Sequence, residues 1–162
     1  MGNISKITYC RGIALVTLRN VPGDSRIIGD ILTTIASNGV NVDMISQTAP
    51  QGNLISVAFT ISMDSMGRLL PVINSLKQEY PDLNLDLTAG MTKFNFFDDN
   101  MVNTPGVAAN VFSLLGAQSI QITMITTSTV DISILVLDHS EEQVLELCRK
   151  SYGIEPEEIP FE

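Results

Sequence analysis

The side chains that could do chemistry in this chain are few and far apart. His139 is the only histidine among the 162 residues, and the hydroxyls of Ser46 and of residues 126–128 have no base at a recognisable spacing. Acid–base or nucleophilic catalysis needs such a positioned pair. Neither G-x-x-x-x-G-K-[ST] nor G-x-G-x-x-G, the loops that hold phosphates, occurs in the sequence. We therefore predict no catalytic residue and no cofactor.

The candidate metal ligands and thiols lead to the same expectation. Asp98 and Asp99 are adjacent, so on a strand their carboxylates point apart, and no further ligand cluster accompanies them. We expect solvated loop charges there and no metal site. Cys10 and Cys148 belong to no C-x-x-C pair and stand in apolar-periodic segments, which predicts small buried hydrophobic residues. A disulfide between the two remains open.

The most suggestive polar segment is Thr104-Pro105-Gly106. Thr104 is a candidate N-cap, and Pro105 suits the first helical position because its missing N–H costs nothing there. Gly106 would allow another group to approach the backbone closely. A helix N-terminus offers N–H donors and a favourable dipole to an anion, but on these three residues alone we expect no more than the start of a helix.

The helix that follows this segment belongs to an internal repeat of the sequence. Residues 39–47, GVNVDMISQ, align without a gap with residues 119–127, SIQITMITT. The same shift pairs two helical sets of apolar positions. These are Ile27, Ile28, Ile31, Leu32 and Ile35 in the first half and Val107, Ala108, Val111, Phe112 and Leu115 in the second. In the first half Asp24 or Ser25 can cap the helix, and Gly39 can end it in a left-handed conformation.

The remaining elements complete a β-α-β-β-α-β order in each half, with a second hairpin loop three residues shorter than the first. This order predicts an α+β fold of two ferredoxin-like domains in tandem, each a sheet with its helices on one face. The predicted domains are residues 11–90 and 91–162. The second lacks a clear closing strand, which residues 3–10 could supply or residues 159–161 could form as a stub. Predicted strands are 14–19, 54–61, 83–87, 93–98 and 130–137, and predicted helices are 65–80 and 140–152.

The opposite face of the first sheet looks semi-apolar. Val57, Phe59 and Ile61 alternate with Ile55, Ala58 and Thr60, without a clean polar set. An antiparallel sheet faces water only on a polar side. We therefore expect the other half or a second chain to cover sheet and helix edges.

The charged residues of the chain limit the classes of partner that it is expected to bind. Nine basic and eighteen acidic residues give a net charge of −9, which disfavours nucleic acid and anionic membranes. The tail carboxylates Glu155, Glu157, Glu158 and Glu162 are expected to stay solvated. No apolar run approaches ~20 residues and no basic, apolar leader opens the chain, so we expect a cytoplasmic protein.

Three strings, in this order and with the repeat, point to one family. Val40–Gln47 (VNVDMISQ), Asn103–Ala109 (NTPGVAA) and Ile122–Val136 (ITMITTSTVDISILV) resemble the tandem ACT domains of aspartokinase. The resemblance covers about residues 4–154. It implies a non-catalytic regulatory module that binds an amino-acid effector, threonine or lysine. Binding of this effector would regulate an aspartokinase catalytic chain. It also implies a homodimer in which ligand pockets form between the first domain of one chain and the second of its partner.

The resemblance also implies the ligand contacts. The main set is Asn103, Thr104, Pro105, Gly106, Val107 and Ala108 facing a carboxylate, with Asn41, Val42 and Asp43 around the ammonium group. A weaker set is Asp24, Ser25, Arg26, Gln47, Gln121 and Ile122. Arg26 stands where the family carries a close-approach glycine, Asp98 and Asn100 replace glycines before the second loop, and Thr129 replaces a frequent glutamate. The alternative is therefore a degenerate ACT pair that serves assembly without a ligand.

Overall fold

The computed structural model describes residues 4–161, whose contacts divide them into two compact units. One unit contains residues 12–89, and the other contains residues 4–11 together with residues 90–161. Residue 3 of the predicted 3–10 strand and Glu162 of the acidic tail lie outside the described residues.

The unit of residues 12–89 has the predicted β-α-β-β-α-β order. A 3-10 turn precedes its second helix, and the sheet order is β2-β3-β1-β4. The pairs β1–β3 and β2–β3 are antiparallel, which is the ferredoxin-like arrangement. The elements, of which β1 and β4 extend beyond residues 12–89, are β1 (Lys6–Pro22), α1 (Ser25–Ser37), β2 (Ile45–Gln47), β3 (Leu54–Ser62), α2 (Met66–Glu79) and β4 (Asn84–Phe97).

Strand β3 shows where the core of this unit lies. Ile55, Val57, Phe59 and Ile61 are all buried against α1 and α2 residues in one cluster, so they share one face. The prediction that Ile55 lies on the other face with Ala58 and Thr60 is wrong, because side chains two residues apart on a strand point the same way.

Helix α1 begins and ends as predicted. Asp24 is the N-cap, and its Oδ1 accepts a hydrogen bond from the Arg26 backbone N–H at 2.9 Å. Beyond the last turn, Gly39 adopts φ +70° and donates its N–H to Ala36 O at 2.9 Å. The repeat places Ser119 at the matching position, and it too is left-handed, with φ +55°, a conformation that a Cβ disfavours. The repeat therefore extends to helix termination.

The other unit repeats the design with a shorter hairpin. Its sheet order is β5-β6-β4-β1-β7, in which β1 contributes Lys6–Arg11, and a 3-10 turn precedes its second helix. Three residues separate β5 from β6, against six between β2 and β3, so the predicted loop difference is confirmed. The new elements are α3 (Val107–Ala117), β5 (Met124–Thr127), β6 (Asp131–Leu137), α4 (Glu141–Tyr152) and β7 (Glu157–Glu158).

The N-terminal part of β1 is built into this second unit. Ser5 donates its backbone N–H to Phe97 O at 2.9 Å. Ile7 is 1% exposed and belongs to the core cluster of residues 90–161. On the far side, β7 pairs in parallel with Thr8 and Tyr9. The short C-terminal strand thus lies at Glu157–Glu158 rather than at residues 159–161.

The acidic-tail carboxylates of Glu155, Glu157 and Glu158 stay exposed to solvent, as expected, and each also forms an ion pair. Glu155 pairs with Arg149 at 2.9 Å. Glu157 pairs with Lys6 at 3.2 Å, and Glu158 pairs with Arg11 at 2.9 Å. The basic partners come from α4 and from β1, which a local charge pattern does not reveal.

The mostly buried carboxylate of Glu141, in α4, forms hydrogen bonds with side chains of β1 and β4. Arg11 donates to Glu141 from Nη2 at 2.6 Å and from Nε at 2.9 Å. The hydroxyl of Thr92, which is fully buried, lies 2.7 Å from Glu141 Oε2 and 2.9 Å from Asp138 Oδ1. Hydrogen bonds from Arg11, and then from Thr92, lower the pKa of Glu141 against the opposing effect of burial.

Glu141→Gln is expected to lower the free energy of unfolding by about 1 kcal/mol at neutral pH and to flatten its dependence on acid pH. The folded pKa lies below the ordinary value of 4.5, so the carboxylate stabilises the fold above pH 4.5. This contribution is lost as the pH falls through the lowered pKa. Urea unfolding at several pH values measures it. Glu146→Gln is the matched control, because Glu146 forms an exposed pair with Lys150; an equal effect of the two changes would contradict the prediction.

Two further expectations concern thiols and membranes. Cys10 and Cys148 are buried, as the apolar periodicity predicts, and are not joined in a disulfide; burial raises the pKa of Cys148 to about 12. Along residues 4–161, no helix is both long and apolar enough to cross a membrane.

Candidate functional site

The loop before α3 has a different geometry from the predicted helix start. Thr104 follows a 3-10 turn, and its hydroxyl donates backwards to Asn100 O at 2.9 Å. It therefore does not cap α3, and Pro105 lies before the helix. The cap residue is Gly106, with φ +92° and ψ +5°, and α3 begins at Val107. The prediction of Thr104 as the N-cap is wrong because α3 begins at Val107, so Gly106 holds the cap position and Thr104 lies two residues before it.

The N-terminus of α3 carries no side-chain cap. Gly106 has no side chain to accept from the first turn, and no side-chain cap hydrogen bond forms. The first bond into the helix is that from Asn110 N–H to Gly106 O, at 3.0 Å. Val107 is buried in the core and anchors the turn, whereas Pro105, Gly106 and Ala108 are exposed. The first-turn N–H groups of a helix have no intrahelical partner, so this end can receive an anion.

No charged side chain occurs from Asn100 to Ala108. An anion at this loop would therefore depend on backbone N–H groups and on the helix dipole, which is equivalent to about half a positive charge at the N-terminus. Asn103, also exposed, lies at the end of the 3-10 turn.

The N-terminus of α1 is closed by its own side chains. Asp24 caps Arg26 N–H, and the Arg26 guanidinium returns to Asp24 Oδ2 at 2.7 Å. These bonds from Arg26 lower the pKa of Asp24, so the cap remains an anion. Ser25 is exposed beside it. The two repeated helix starts thus differ: a carboxylate of the chain occupies one, and no side chain occupies the other.

Residues 41–43, which precede β2, lie at the opposite end of their unit from the start of α1. Asp43 donates its N–H to Thr60 O at 3.1 Å, whereas Gly23, beside the α1 cap, donates to Asn53 O at 2.8 Å. Thr60 and Asn53 are at opposite ends of β3, so about 20 Å separates them at ~3.3 Å per residue. Asn41 and Val42 precede Asp43. Gln47 pairs with Val57, further along β3.

In the other unit, residues 121 and 122 are likewise far from the start of α3. They precede Thr123, whose N–H bonds Leu135 O at 2.8 Å, and Leu135 pairs with Lys93. The loop before α3 instead follows Phe97, which pairs with Asp131. Neither unit alone brings its helix start and its strand lead-in together. Each predicted ligand set, the main one and the weaker one, takes residues from both units.

Asp98 is the residue of this region that sequence reasoning misjudged. It is 5% exposed, so the expectation of a solvated charge is wrong, while Asp99 is exposed. Asp98 Oδ1 accepts from Asn100 N–H at 2.7 Å, and its backbone bonds Val130 O and Met101 N–H. It shapes the loop that leads to Gly106. The Asp-x-Asn spacing of an Asx turn was the available signal.

Comparison with known proteins shows what most of the second unit and the overall fold are similar to. Residues 97–152 match the model of the ACT domain family. The aspartokinase of Geobacillus stearothermophilus is 30% identical over 153 residues, which is 91% of this chain and 37% of the relative. This chain thus spans little more than a third of that relative.

Solved structures extend the likeness to both units. The ligand-free regulatory subunit of aspartate kinase from Thermus thermophilus has a TM-score of 0.84 at 23% identity and covers 93% of this chain and 99% of its own. E. coli aspartokinase III, in complex with lysine and aspartate, has a TM-score of 0.70 at 21% identity over 92% of this chain and 33% of its own. These likenesses establish a shared fold.

Proposed function

We propose that this chain is a non-catalytic module that binds a free amino acid and regulates an aspartokinase catalytic chain. Residues 97–152 match the ACT domain family model, and nine tenths of the chain is similar to an aspartokinase, which supports this proposal. The supporting observation is the start of α3 inside the matched region, where no side chain caps the helix. A fold neighbour that was solved with lysine supports an amino-acid effector. Threonine and lysine are the first candidates.

The ligand chemistry assigns a role to each predicted segment. The effector carboxylate accepts hydrogen bonds from the N–H groups of Val107 and Ala108, which Gly106 leaves approachable, while Asn103–Pro105 border this site. Residues 41–43 of a second copy of the chain supply carbonyl and carboxylate oxygens for the ammonium group, in keeping with the homodimer that the family resemblance implies. This division suits a zwitterion because each end meets groups of opposite polarity.

The weaker set is proposed as a poor ligand site. An incoming carboxylate at α1 would compete with Asp24, which already accepts from Arg26 N–H. The same observation favours the second candidate function, a homodimeric ACT pair that contributes to assembly without an effector. The two functions differ in whether any amino acid stabilises the chain.

Calorimetric titration with threonine, lysine and the other amino acids tests the proposal, together with thermal unfolding at millimolar ligand. A ligand that binds only the folded state adds RT ln(1 + [L]/Kd) to stability, about 2.7 kcal/mol at a hundredfold excess over Kd. We expect one amino acid to bind and to raise the Tm. Flat titrations and unchanged melting for all of them, with folded protein, would favour the assembly role.

A further inference from the structure

A cavity of about 600 Å³ lies within residues 12–89, outside both predicted ligand sets. It opens where α2 ends and the chain turns towards β4, beside the end of β1 and the start of β3. Its lining includes Asn20, Leu54, Glu79, Tyr80 and Asp82. The volume is within the range of small-molecule sites, about 300–1,000 Å³.

We propose that this cavity binds an organic amine, a ligand with an ammonium group on a hydrocarbon body. The charged side chains of its lining are Glu79 and Asp82, both carboxylates. The cavity also adjoins the C-terminus of α2, where the helix dipole is negative. Arg19, next to Asn20, is absent from the lining and is paired with Asp86 at 2.6 Å. The fixed charges therefore favour a cation.

The remaining lining suits a hydrocarbon body. Leu54 leaves 43% of its surface exposed, and Pro22, Tyr80 and Pro81 also face the cavity. Partial burial, and then the charge of Glu79, raises the pKa of the Tyr80 hydroxyl. The hydroxyl therefore stays protonated, and the Tyr80 side chain is uncharged. Covering such apolar surface gains free energy, which an ammonium ion without carbon would not obtain.

A backbone irregularity holds the rim in place. The β1–β3 register shifts between Leu18 and Val21, and Asn20 within this bulge has φ +61°. Its side-chain amide donates to Asp82 O at 3.3 Å. The bulge thus directs Asn20 towards the segment between α2 and β4 and links the two sides of the cavity. A preformed rim lowers the ordering cost of binding.

Calorimetric titration of the chain with 1,5-diaminopentane tests this proposal, with pentan-1-ol as the neutral probe. We expect saturable millimolar binding of the diamine, weakened as ionic strength rises, and no binding of the alcohol. The double change Glu79→Gln and Asp82→Asn should weaken diamine binding about tenfold, in keeping with exposed charge pairs. Asp64→Asn removes the same type of charge from the same unit outside the lining and should leave binding unchanged.

Three results would overturn the proposal. These are no diamine binding by the folded chain, equal binding of the alcohol, or binding that neither salt nor the double change weakens. The salt series on the unchanged chain keeps the test decisive if the double variant fails to fold. The diamine has no carboxylate for the start of α3, and binding of its ammonium groups at residues 41–43 would not respond to the double change, because those residues lie outside the cavity lining. Failure of either proposal therefore leaves the other standing.

Discussion

Replacing Ile7 by alanine is expected to lower the free energy of unfolding of residues 4–11 and 90–161 by about 2–5 kcal/mol. The side chain is 1% exposed and shares a core cluster with Phe94, Phe96 and Ile134. Removing its outer carbons leaves a cavity that the rigid sheet closes only in part. Urea unfolding measures the loss, and amide hydrogen exchange in α3 and α4 should accelerate with it.

Lys6→Ala is the matched control for this change. Lys6 is the preceding residue of the same strand, but it is exposed and its contact is a surface ion pair with Glu157 at 3.2 Å. Such pairs contribute about 0–1 kcal/mol. If Ile7→Ala cost no more than Lys6→Ala, the N-terminal strand would not be part of this core, and the unit would close its sheet without it.

The helices could be predicted from the sequence because their signals are local. Residues 27–35 and 107–115 carry the spacing of one apolar face, and the buried Ile31, Ile35, Val111 and Leu115 lie on it. The cap at Asp24 and the turn at Gly39 also depend on adjacent residues. Ser119 shows the limit: serine does not favour φ > 0, so only its alignment with Gly39 indicated the conformation.

The strands were harder to delimit. Two strands, 3–10 and 14–19, were expected where β1 runs from Lys6 to Pro22, and Gly12 lies between the two. Gly12 adopts φ +68° within the strand, which a residue without Cβ does at little cost. The contribution of residues 6–11 to a unit built mainly from residues 90–161 depends on contacts distant in sequence, and periodicity carries no information about these.

In the candidate site, too, some features could be predicted from the sequence and others could not. Gly106 and the start of α3 near it could be placed from the sequence. The position of Thr104 two residues before the helix could not, because it depends on the 3-10 turn at Met101–Asn103 that precedes it. The burial of Asp98 likewise depends on the neighbouring strand, through its bond to Val130 O.

Gly106→Ala is expected to weaken effector binding about tenfold or more. Alanine in a left-handed conformation costs roughly 1–2 kcal/mol, and nothing lies within 4 Å of an added Cβ at Gly106, so the effect comes from φ +92° and not from a clash. Relief of that strain rotates the peptide units that aim the N–H groups of Val107 and Ala108. Titration with the effector found for the unchanged chain measures the loss in Kd.

Gly116→Ala separates this effect from a general response to glycine replacement. Gly116 lies in the same helix, and no atom lies within 4 Å of an added Cβ. Alanine there should keep effector affinity and raise stability by about 0.5–1 kcal/mol, since glycine is a poor helix former. Unchanged affinity in Gly106→Ala would place the effector carboxylate away from α3. Loss in Gly106→Ala alone would tie effector recognition to the start of α3, which lacks the side-chain cap that the matching start of α1 has.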